Sequence, residues 1–175
     1  MKKKAKIALI SGIGAALLIG AIVAVFILTA PLSIPKYVKN NLNDREKLVS
    51  ALEDNGWVAR DSTSGVFGYK ADGLTEEAMA EDDFEYPDNL SILMVRYGVE
   101  RETFDSTYMN KKAIEEVLSG EDASVKWSKV NDDTVRLNIT KEGKKAKMVV
   151  GFFELEDDTA MVIYMDGHKD LSPMK

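Results

Sequence analysis

The sequence predicts an α+β chain: an N-terminal transmembrane helix, then one domain built on a mainly antiparallel sheet with covering helices. Three observations carry this expectation. Residues 7–30 contain no charged side chain. The C-terminal third alternates apolar and polar residues with period two between short turn clusters. Two stretches in between space their apolar residues three and four apart, as one face of a helix requires.

The apolar run is long enough to cross a bilayer core, which takes about 20 residues at ~1.5 Å rise. Lys2, Lys3, Lys4 and Lys6 precede it, so the rule of inside positive charge predicts a cytoplasmic N-terminus and a domain outside, in a cell-envelope setting. Lys36, Lys39, Arg45 and Lys47 on the other side oppose that orientation. The run reads as a retained single-pass signal-anchor. A peptidase site ending at Ala30 would place Leu28 where a small residue is needed, and Pro31 follows the cut. Ala8, Gly12, Ala16, Gly20 and Ala24 recur every four residues and form a stripe of small side chains. Such a stripe lets a second helix approach closely, for a protein partner or for self-association, beside the bilayer contact of 7–30 itself. Glycine and alanine are also simply common in membrane helices.

The predicted organisation is a basic start (1–6), the apolar helix (7–30), a juxtamembrane linker (31–42) and the α+β domain (43–175). Pro31 and Pro35 end the first helix. Asn43 followed by Glu46 resembles a capping box and opens a helix over 44–55, with Leu48, Val49 and Leu52 inward and Gly56 as its stop. Short strands follow at 57–60 and 66–71, and Thr75 caps a short helix to residue 80. The continuous apolar run Ile92, Leu93, Met94, Val95 suits a central strand covered on both faces. A helix from Asp105 or Ser106 to before Gly120 presents Met109, Ala113, Ile114, Val117 and Leu118. Strands at 125–130, 134–141, 146–155 and 159–165, joined by short turns, form a four-strand antiparallel meander. In 134–141 the alternation is cleanest: Val135, Leu137 and Ile139 inward, Arg136, Asn138 and Thr140 outward.

Composition excludes much chemistry. The chain has no cysteine, so disulfides, thiolate metal sites and a cysteine nucleophile are ruled out. All 29 acids lie beyond residue 30, against 19 of the 23 bases, giving that part a charge of −10. Such a surface repels phosphate backbones, so no nucleic-acid partner is expected. The single histidine, His168, reads as a solvent-exposed tail residue. Ser33 to Lys36 and Ser172 to Lys175 match a serine-x-x-lysine pattern without its partner motifs.

No catalytic residue, cofactor or metal ligand is singled out. Glu81, Asp82, Asp83, Glu85 and Asp88 form the densest acidic cluster and are weak candidates for a cation such as Ca²⁺, against the plainer reading of a solvated loop. Lys141, Lys144, Lys145 and Lys147 make a basic patch around a hairpin tip, suited to an acidic polymer or partner, or to keeping a strand edge soluble. The chain therefore reads as a membrane-anchored, non-enzymatic binding or interaction module. The alternatives are an accessory subunit docking through the small-residue stripe, a Ca²⁺-dependent binder, or a hydrolase using two carboxylates.

Overall fold

The computed structural model describes residues 31–119 and 123–171, with side chains to residue 116 in the first stretch. From Leu32 onward they form one compact unit. Its elements are α1 (Lys36–Lys39), α2 (Arg45–Glu53), β1 (Val58–Ser62), β2 (Gly65–Lys70), α3 (Glu76–Met79), β3 (Asn89–Tyr97), α4 (Arg101–Phe104), a π-helical turn (Asp105–Met109), α5 (Lys111–Ser119), β4 (Ala123–Asn131), β5 (Thr134–Lys141), β6 (Lys144–Glu154) and β7 (Thr159–His168).

The α+β expectation is corrected. The unit is mostly one seven-stranded antiparallel sheet in the order β1-β2-β3-β7-β6-β5-β4, and its helices run only four to nine residues. The last four strands do pair as an antiparallel meander, β4-β5-β6-β7, but the sheet does not stop there. β7 pairs with β3 along nine positions, from Asn89↔His168 to Tyr97↔Ala160, and so draws β1 and β2 into the same sheet.

The membrane expectation is corrected as well. Among the described residues no helix is long and apolar enough to cross a membrane. Nine residues at ~1.5 Å rise fall far short of a bilayer core. The predicted transmembrane, single-pass, signal-anchor architecture, with a cytoplasmic N-terminus and an outside domain, is corrected to that finding: the described residues contain no membrane-crossing helix. The helix expected over 7–30, with Ala8, Gly12, Ala16, Gly20 and Ala24, lies outside the described residues.

Each sheet face has its own core. On the front face, α1 and α2 press Val38, Leu42, Leu48 and Leu52 onto Val66, Leu93, Val95, Val149 and Val162. Residues expected as a linker thus belong to the core: Ile34, Val38 and Leu42 are all buried. Leu48 and Leu52 are fully buried, worth about 2 kcal/mol each on an area basis. Asp44, rather than Asn43, caps α2 by accepting the Lys47 N–H at 3.1 Å. Asn43 is engaged elsewhere, its Oδ1 accepting from the Glu156 N–H at 3.3 Å. Trp57 ties this layer together, donating to the Tyr37 hydroxyl at 2.8 Å and meeting the Tyr164 ring edge-on.

On the back face, Phe104 and Ile114 close over Val135, Leu137, Met148, Val150, Phe152 and Ile163. The single helix expected from residue 105 is broken in two. Asn110 is extended (φ −91°, ψ 101°), and its side chain caps α5 by accepting from the Lys112 and Ala113 N–H groups. The π-turn leaves the Tyr108 carbonyl to accept the Trp127 indole N–H at 2.9 Å, which fastens this cover to β4.

Candidate functional site

The two helical covers are offset. α2 lies over β1 and β2 of the front face, and α1 packs toward β6 beside it. No described element covers the far half on β4, β5 and the start of β6, whose outward residues are exposed. Period-two alternation decides what stands there. Val135, Leu137 and Ile139 of β5 are buried on the back face, so Arg136, Asn138 and Thr140 point to the front. Register places Ser128 and Val149 beside Arg136, Lys126 and Lys147 beside Asn138, and Ser124 and Lys145 beside Thr140. Ser124, Lys126, Asn138, Thr140, Lys145 and Lys147 are exposed.

At its upper end the face deepens into a groove of about 520 Å³, between residues 33–39 and strands β5 and β6. That is within the size range of ligand clefts, about 300–1,000 Å³. Ile34, Val130, Val149 and Phe153 supply its apolar lining, while Lys39, Arg136 and Glu154 stand around it. Three local features build the groove. Gly151 leaves room for Ile34, whose Cδ1 would lie 2.7 Å from a Cβ at that position. The Arg136 Nε–H donates to the Leu32 carbonyl at 2.8 Å, which pins the incoming chain and fixes the guanidinium. A register shift in β4 between Lys129 and Asn131 turns Val130 out of the ladder. Val130 is 42% exposed, the exposed large apolar residue among those described.

The electrostatics of this face run against the rest of the domain. Lys39, Lys126, Arg136, Lys145 and Lys147 form no ion pair among the described residues, although the domain has many more acids than bases. The carboxylates nearby are fewer. Asp133, at the groove wall, is held by Arg101, which also pairs with Asp105 and stacks over Phe152. Asp166, beside Lys147 in register, accepts from the Ser91 hydroxyl at 3.1 Å.

The basic patch expected at the hairpin tip is divided. Lys144 pairs with Asp170, whereas Lys145 and Lys147 stand on the open front face. β6 lies between β5 and β7, so these two lysines do not guard a sheet edge. The acidic candidates Glu81, Asp82, Asp83, Glu85 and Asp88 are all exposed, and Asp88 lies 3.5 Å from the Lys169 ammonium. Their segment is held down by its aromatic residues, with Tyr86 on Tyr69 and Phe84 against Tyr86. Among the described residues no group of three or more His, Asp or Glu side chains is placed to hold a metal ion.

His168 is not in a loose tail. It ends β7 opposite Asn89, half-buried, and its Nδ1 accepts the Asp170 N–H at 3.2 Å. Lys39, Lys126, Arg136 and Val130 were not singled out from the sequence. The signal available was the outward parity of Arg136 and Asn138, whose strand neighbours pairing alone reveals.

No family model and no curated protein matches the chain. Among solved structures it is similar to CalU16 from Micromonospora echinospora, with 13% identity and a TM-score of 0.36. That match covers 47% of this chain and 63% of the other, less than two thirds of its length. A likeness so slight supports no transfer of fold or function.

Proposed function

We propose that this domain is a non-enzymatic binding module whose open front face on β4, β5 and β6 receives an anionic partner. The observation that carries the reading is a set of four cations on the open sheet face that form no ion pair among the described residues, Lys126, Arg136, Lys145 and Lys147, with Lys39 of α1 beside the groove. These cations outnumber the carboxylates beside them, Asp133, Glu154 and Asp166, and an excess of positive charge attracts and orients a partner of opposite sign.

The test is a titration of the full-length chain with poly-L-glutamate at low and at high salt. The reading predicts binding at low salt that weakens as salt screens it. The triple variant K126E/K145E/K147E should weaken it by about tenfold or more, because three attractions become repulsions. These lysines are exposed, so the fold should survive the exchange. Binding of equal strength to the wild type and the triple variant, or no binding at low salt, overturns the proposal.

A further inference from the structure

We infer that the anionic partner is an extended acidic peptide that places one bulky apolar side chain in the groove beside Val130. The inference rests on the proposed anionic-partner reading and adds the chemical class of the partner.

Spacing is the first argument. Lys145 and Lys147 stand two residues apart on one strand, about 7 Å. Alternate side chains of an extended peptide repeat at that same distance. Register then continues upward along the front face: Arg136 lies beside Val149, the next front-facing position after Lys147, and Thr134 beside Gly151, the one after that. Acidic side chains at successive alternate positions would meet Lys145, Lys147 with Lys126, and Arg136 in turn. The guanidinium is held from one side by the Leu32 carbonyl, and a planar fork of this kind suits a carboxylate better than a point charge does.

Apolar chemistry is the second argument, and it is independent of the first. The row of cations leads toward Gly151, against which Ile34 and Phe153 pack, and into the groove those two residues line together with Val130. A bulge in β4 presents Val130 to solvent there. A mineral polyanion such as polyphosphate has nothing to place against these side chains. A peptide with a phenylalanine or leucine at that position does, and burying such a side chain there favours binding.

Edge protection, the ordinary role of surface lysines in sheets, accounts for Lys126 and Lys129 on the edge strand β4. It does not account for Lys145 and Lys147 on an interior strand.

Fluorescence anisotropy of the full-length chain with three probes tests the inference. The first is a short peptide with glutamate at alternate positions and phenylalanine at the next alternate position. The second carries serine in place of phenylalanine, and the third is inorganic polyphosphate. The phenylalanine peptide should bind about tenfold more tightly than the serine peptide. Val130→Ser should narrow that gap and leave polyphosphate binding unchanged. Equal binding of the two peptides, or tighter binding of polyphosphate than of either, overturns the inference while leaving the anionic-partner reading standing. If none of the three binds, both fall.

Discussion

Gly65, where β2 begins, has φ +138°, and a Cβ built on it would lie 2.0 Å from the Val95 carbonyl oxygen. Both facts forbid a side chain there. The backbone angle is one that L residues rarely adopt, and the obstructing atom is main chain of a neighbouring strand, which cannot rotate away. Gly65→Ala should therefore lower stability by about 3 kcal/mol, read as a fall in the urea midpoint with an unchanged slope. An unchanged midpoint would contradict this account of the turn. The break between the strands expected at 57–60 and 66–71 marks a turn, but not the approach of β3, because the obstructing residue lies thirty positions further on. Arg136 shows the same limit. Its outward parity is legible locally, whereas the Leu32 carbonyl that fixes it comes from a stretch that reads as a linker.

Among the elements, the strand over 134–141 is read best, since its alternation is uninterrupted and its inward residues Val135, Leu137 and Ile139 are all buried. The helical cover on the back face is read least well. Helical spacing from Met109 to Ile114 is genuine, yet Asn110 breaks the ladder and caps a new helix, a competition between side-chain and main-chain bonding that periodicity does not register. This cover has a measurable signature. Burial raises the Tyr108 hydroxyl above its ordinary pKa, with Arg96 opposing the shift weakly. A raised pKa in the folded state means that the unfolded chain loses its proton first as pH rises. Stability from this group is therefore intact below about pH 10 and falls above it. Tyr108→Phe should make the loss of stability above that pH shallower in alkaline unfolding monitored by circular dichroism. An identical alkaline profile for the two proteins would show that Tyr108 is not sequestered beneath the cover.

At the scale of the molecule, local signals give strands and turns but not the sheet order. The pairing of β3 with β7 joins residues that lie more than sixty positions apart. Hydrophobic runs say only that both strands are central, not that they are neighbours. For that reason the C-terminal meander is legible in the sequence, whereas its continuation through β3 into one sheet of seven strands is not. Among the described residues the helices are too short and too polar to cross a membrane, so the account of function rests on the surface of the sheet. Its far front face gathers cations on a domain otherwise dominated by acids, beside a groove with an exposed apolar residue at its edge. The most direct test of this central claim maps the contact by amide chemical shifts of the full-length chain as poly-L-glutamate is added at low salt. The account predicts shifts concentrated at Lys126, Ser128, Arg136, Asn138 and Lys147, reversed when salt is raised. Shifts scattered evenly over the domain, or absent from β4, β5 and β6, would contradict it.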